Sequence, residues 1–169
     1  MKKIFSSLLA FPFVVMTATG LLSQGAGIAM GTTSFDAGQP VEVSADTLSV
    51  DQGTGQAVFD GNVLVVQGDV RMTAGRILVV YATANGGSAS GIDRLEAEGG
   101  VTFVTATDAA EAQQATYSVA TGTVTLSGEV LLTQGQNAIS GDRLVIDLAS
   151  GTGQMEGRVR TVFGTGGGN

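Results

Sequence analysis

The chain has 169 residues, enough for one domain with a substantial core. It contains no Cys and no His, which excludes disulfides, thiolate or imidazole metal sites, a lipidated N-terminal Cys and most acid-base or nucleophilic catalysis. With 26 Gly, 2 Pro and a net charge of −7, it has the composition of many short strands joined by tight turns, and an acidity that disfavours nucleic acid and anionic membrane as partners.

The N-terminus has the form of an export signal. Lys2 and Lys3 precede the apolar residues 4–15, and small residues continue to Gly27-Ile28-Ala29, a small-x-small cleavage site with the cut after Ala29. The uncharged stretch 4–22 is also just long enough to remain as a membrane anchor, although the short apolar run, Thr17, Thr19 and Gly20 favour cleavage. The expected layout is a signal peptide at 1–29, a flexible mature N-terminus at 30–38, one β domain at 39–163 and a flexible Gly-rich tail at 164–169. Loss of both lysines takes the net charge from −7 to −9 and leaves a mature chain without Lys.

From Pro40 onward apolar residues alternate with period two, the pattern of half-buried antiparallel strands of five to eight residues. Val41 and Val43 open the series, followed by Leu48 and Val50. Ala57, Phe59, Val63 and Val65 share one parity, with Gly61 between them. The pattern returns at Ile77, Val79 and Tyr81, at Val101 and Phe103, at Tyr117 and Val119, at Val124 and Leu126, at Val130 and Leu132, and at Leu144, Ile146 and Leu148. Turn signals separate these runs, among them Asp51-Gln52-Gly53-Thr54-Gly55, Asp60-Gly61-Asn62, Gln67-Gly68-Asp69, Asn85-Gly86-Gly87, Gln134-Gly135-Gln136 and Ser150-Gly151-Thr152-Gly153.

An internal repeat organises the strands. Gly61-Asn62-Val63-Leu64-Val65-Val66-Gln67-Gly68 recurs 67 residues later as Gly128-Glu129-Val130-Leu131-Leu132-Thr133-Gln134-Gly135, and the correspondence runs on to pair Arg76 with Arg143 and Val79 with Ile146. A Gly-x-Val turn also recurs at Gly99-Gly100-Val101 and Gly157-Arg158-Val159. Each unit is expected to be a strand, a tight turn and a strand. One hairpin cannot bury its apolar face alone, so the units must stack over a common interior. A jelly-roll-like stack of antiparallel strands and a parallel β-helix both satisfy this. The short hairpin-type turns favour the first.

The segments Gln39-Pro40-Val41-Glu42-Val43-Ser44-Ala45-Asp46-Thr47-Leu48, Gly61-Asn62-Val63-Leu64-Val65-Val66-Gln67-Gly68, Ala97-Glu98-Gly99-Gly100-Val101 and Ile139-Ser140-Gly141-Asp142-Arg143-Leu144, in that order, resemble the OstA-like family of lipopolysaccharide transport proteins over about residues 39–163. The resemblance implies an all-β fold, a single twisted β-jellyroll of antiparallel strands with an apolar interior, open at both ends. It also implies a non-enzymatic periplasmic role, in which the interior shields the acyl chains of lipopolysaccharide between the inner and outer membranes. Its implied partners are related β-jellyroll domains of inner-membrane and outer-membrane components and further copies of the chain, assembled head to tail, with no cofactor, metal or nucleic acid. An inner-membrane-anchored component of the same route and a β-scaffold that binds no lipid are the alternatives.

By strand parity, Val41, Val43, Phe59, Val63, Val65, Phe103, Tyr117, Val119, Leu126 and Leu132 point inward, and these are the candidate lipid-binding residues. Phe103 and Tyr117 lead, because aromatics are few and a buried tyrosine hydroxyl needs a polar neighbour. Pro40 and Val41 at the first strand, and Val159, Val162 and Phe163 at the last, are the candidate partner-interface edges, since unpaired edge strands recruit others. Asp93-Arg94 and Asp142-Arg143 are expected as local ion pairs. Arg71, Arg76 and Arg143 are candidates for lipid phosphates. Glu96 and Glu98 share a strand face, the one arrangement that suggests a carboxylate pair, but next to Gly99 they suit a solvated turn.

Overall fold

A computed structural model describes residues 26–31, 36, 38–51, 53–83 and 89–164. The first 25 residues, including the charged and apolar parts of the expected leader, lie outside the described residues, as do the expected turn at 85–87 and the tail from 165. Eleven strands and no helix occur among the described residues: β1 (Ala26–Ala29), β2 (Glu42–Ser44), β3 (Thr47–Asp51), β4 (Gln56–Gln67), β5 (Val70–Thr83), β6 (Ala89–Val104), β7 (Asp108–Ser118), β8 (Thr123–Gln134), β9 (Asn137–Asp147), β10 (Thr152–Glu156) and β11 (Arg160–Val162). All pairing is antiparallel in one sheet of order β1-β10-β9-β8-β7-β6-β5-β4-β2, with β3 also on β4 and β11 also on β9.

The central strands are 11 to 16 residues long, about twice the length that the turn signals imply. The difference lies in the Gly-x-Val segments. Gly61-Asn62 and Gly128-Glu129 do not reverse the chain, because they are bulges inside β4 and β8. Both residues of each pair have positive φ, a conformation that serves a hairpin turn or a bulge equally well. Gly99-Gly100 in β6 and Gly157-Arg158 between β10 and β11 are the same feature.

These bulges line up across the sheet. The register shifts at Asp60/Val63, Thr73/Arg76, Glu98/Val101, Glu111/Gln114 and Ser127/Val130 in five successive strand pairs. A bulge bends its strand, so a row of them creases the whole sheet. One half-sheet holds residues 63–67, 70–74, 101–104, 108–112, 130–134 and 137–141 with β2 and β11. The other holds 56–60, 76–80, 94–98, 114–118, 123–127 and 143–147 with β3 and β10.

A cross-strand clamp repeats along the crease at a separation of 16 residues. Asn62 Nδ2 donates to Asp46 Oδ2 at 2.8 Å, Gln113 Nε2 donates to Glu129 Oε2 at 2.7 Å, and Arg158 Nη2 donates to Asp142 Oδ1 at 2.7 Å. The first two are repeat equivalents, 67 residues apart. Gly61 is required here, because a Cβ at that position would sit 2.5 Å from Asp46 Oδ2 on a backbone with φ of +80°. The Arg158 hydrogen bond holds the Asp142 carboxyl below the usual range. The expected pair Asp142-Arg143 is therefore not formed: Arg143 reaches Glu156 on β10 instead, whereas Arg94 does pair with Asp93 and also with Glu96.

The inner faces of the two half-sheets form one core. Ile77, Leu95, Leu126, Leu132, Leu144, Ile146 and Met155 are fully buried in it. Each such side chain contributes roughly 1.5 to 3 kcal/mol by leaving water, which is why a sheet this long can hold a fold without disulfides.

Candidate functional site

All ten residues expected to face inward do so. Val63, Val65, Phe103, Tyr117, Leu126 and Leu132 are buried in the shared core, and Val41, Val43, Phe59 and Val119 are partly buried against it. They come from both half-sheets, so the crease brings residues from opposite ends of the strands onto one apolar surface. Ile77, Val79, Leu95, Leu144, Ile146 and Leu148 belong to the same interior. Their alternation was legible, but nothing in it distinguished them as lining residues.

The two half-sheets meet again along the margin opposite the crease, where the strand ends form two lips. Tyr117, on β7 in one half, donates its hydroxyl to Gln67 Oε1 at the end of β4 in the other, at 2.5 Å. Desolvation pushes the Tyr117 hydroxyl up to about 12, so it remains a neutral donor in the physiological range. Gln67 is itself buried and donates through Nε2 to the carbonyl of Gln39 at 2.9 Å. Beside this bond lies a void of about 10 Å³ lined by Val65, Val70, Met72 and Phe103 from one half and by Tyr117, Val124 and Leu148 from the other. That is room for about one water, so here the halves close on each other.

The lips carry buried or half-buried polar groups that the sequence did not reveal as such. Gln134, the repeat equivalent of Gln67, donates through Nε2 to Asp108 Oδ1 at 3.0 Å and to the carbonyl of Ala29 at 2.9 Å. Asp108 is buried and its backbone N–H donates to Thr105 Oγ1. The repeat was the available signal: each glutamine precedes a turn glycine, yet each turns its amide inward to hold a backbone carbonyl.

The edges of the sheet differ in exposure. Pro40 is exposed just before β2, while Val41 packs partly against the core. At the other edge Val159, Val162 and Phe163 are exposed, the last two by 58 % and 75 %. Of the arginine candidates, Arg76 lies on the outside of the crease between Asp60 and Glu98, at 3.7 and 3.4 Å, and Arg143 is paired as described. Glu96 and Glu98 each face an arginine on the outer surface and stand in β6 itself.

A creased antiparallel sheet that wraps one continuous apolar interior defines a β-jellyroll cradle. Residues 42–152 match the family described as LptA/(LptD N-terminal domain) LPS transport protein, and the chain belongs to that family. The OstA-like resemblance therefore holds, and the function of the chain is lipopolysaccharide transport. It is 29 % identical over 152 residues to a Rhizobium meliloti protein, uncharacterized protein R00383, covering 86 % of this chain and 82 % of that one. It is also 29 % identical to the lipopolysaccharide export system protein LptA of Escherichia coli K12, over 77 % of this chain and 70 % of that one. In fold it is similar to LptH, the LptA homologous periplasmic component of the lipopolysaccharide transport device from Pseudomonas aeruginosa. That match has a TM-score of 0.66 and 20 % identity, and covers 78 % of this chain and all of the other.

Proposed function

We propose that this chain is an exported periplasmic carrier whose interior shields the acyl chains of lipopolysaccharide, and that it bridges inner-membrane and outer-membrane components by joining related β-jellyroll domains, and copies of itself, through its edges. The observation that carries this reading is the single apolar interior fed by both half-sheets. Each acyl methylene released to water costs about 0.8 kcal/mol, so a route across an aqueous space needs continuous apolar cover. Valine, leucine, isoleucine and phenylalanine provide that cover with little directional bonding, which suits passage rather than retention. Arg71 is exposed and has no ion pair among the described residues, which suits a contact to lipid phosphate.

In-cell photocrosslinking from a probe at Phe103 or Tyr117, with exposed Glu42 as control, tests the reading. The expected result is a lipopolysaccharide adduct at the two interior positions and none at Glu42. A folded, exported protein that gives no interior adduct overturns it and leaves a β-scaffold. N-terminal sequencing of the exported chain separates the soluble bridge from an anchored component.

A further inference from the structure

The segment 26–31 lies on the lips. Its strand β1 pairs antiparallel with β10, with Ala26 opposite Met155 and Ala29 opposite Thr152, in one half-sheet. Its other bonds reach both sides of the slit. The Met30 N–H donates to the Gly151 carbonyl at 2.7 Å beside β10, whereas the Ala29 carbonyl accepts from Gln134 and the Gly31 N–H donates to Asp108 Oδ2 at 2.5 Å in the opposite half. Ile28 and Met30 turn inward and are 8 % and 6 % exposed. The seat is shaped for them: a Cβ on Gly153 would lie 3.2 Å from Met30, so glycine in β10 makes room for the methionine. Gly31 fits as closely, since a Cβ there would sit 2.7 Å from the Thr107 Cβ.

We propose that residues 26–31 are a strap across the slit, and that acyl chains load sideways through this margin once the strap is lifted from Asp108 and Gln134. The proposal rests on the carrier reading above. It follows from what joins the two margins. Along the crease the strands are continuous, and no side-chain rearrangement separates the halves there. Among the described residues no strand of one half pairs along the slit with a strand of the other, and both the Tyr117 to Gln67 bond and the strap bridge the lips. The void beside Tyr117 is far too small for an acyl chain, so loading there requires the halves to part, and the slit is where side chains rather than continuous backbone join them. Asp108 and Gln134 bond to each other as well as to the strap, so lifting it leaves neither without a partner.

The strap requires the leader to be cut ahead of Ala26 and not after Ala29, so N-terminal sequencing of the exported protein comes first, and a chain that begins at Met30 overturns the proposal. The test then uses that exported protein, which contains no native cysteine to interfere. Gly31→Cys with Thr107→Cys brings two Cβ atoms to 2.7 Å before relaxation, so a shift of about 1 Å seats a disulfide that locks the strap to the lip. With a photoprobe at Phe103 and purified lipopolysaccharide as ligand, the oxidised protein should give at least tenfold less adduct than the same protein after reduction. Equal adduct in both states overturns the strap, as does a folded double variant in which the disulfide does not form. Met30→Ser, which withdraws the buried thioether, gives a second reading that needs no disulfide: loading should be several-fold faster, and an unchanged rate overturns the proposal. If the parent protein gives no adduct at Phe103, it is the carrier reading that fails and not the strap.

Discussion

The crease and the slit are the two long margins of one interior, and they are built from opposite materials. At the crease, backbone runs through from one half-sheet to the other, and glycine pairs with positive φ set the bend. At the slit, the halves touch through side chains and one added strand. A margin made of continuous chain bends only as far as its dihedrals allow, whereas a margin joined by side chains parts at about 1 kcal/mol for each hydrogen bond broken together with the cost of wetting the apolar faces that meet there. The contrast makes the molecule a clasp with a fixed spine.

Four substitutions test that contrast, in order of expected size. Leu126→Ala removes a fully buried side chain from the shared core and should cost roughly 2 to 5 kcal/mol in urea unfolding, the largest loss of the set. Gly61→Val puts a β-branched residue at φ of +80° against Asp46 and should cost about 2 to 3 kcal/mol. If instead it proves neutral, the crease is not set by that glycine.

Tyr117→Phe removes a bond across the slit and should cost about 1 kcal/mol near neutral pH. Its pH dependence sharpens the comparison. The hydroxyl titrates near 10 in the unfolded chain and at about 12 in the folded one, so the folded state holds its proton longer. Stability from this group is complete below pH 10 and is lost as pH rises towards 12, by roughly 2 to 3 kcal/mol for two pH units. Melting temperature measured from pH 9 to 12 should fall in the parent and fall less in Tyr117→Phe. The smallest effect is expected from Asn62→Ala, which removes an exposed clamp while the bulge itself stays: thermal unfolding should be unchanged.

The interior was legible from the sequence because strand parity survives any arrangement of the strands. Val63, Val65, Phe103 and Leu132 face inward whether Gly61-Asn62 is a turn or a bulge. The crease was not legible as such, since two left-handed residues serve both purposes and the local chemistry is the same. One signal did point the right way: Ala57, Phe59, Val63 and Val65 keep a single parity through Gly61, as a continuous strand would. Gln67 and Gln134 read as turn residues in the sequence, because the orientation of an amide depends on the carbonyl it meets, and those carbonyls, on Gln39 and Ala29, are 28 and 105 residues away. The strand at 26–29 falls in the residues that the small-x-small pattern assigns to the leader. Its seat on β10 depends on Gly153 and on the opposite lip, which no local pattern contains.

The crease clamps at Asp46–Asn62, Gln113–Glu129 and Asp142–Arg158 share one stride of 16 residues. A constant stride means that each added strand lengthens the cradle while its cross-section stays the same. Span and bore are therefore separate properties of this architecture: duplication or loss of a unit alters how far the protein reaches without altering the girth of what fits inside.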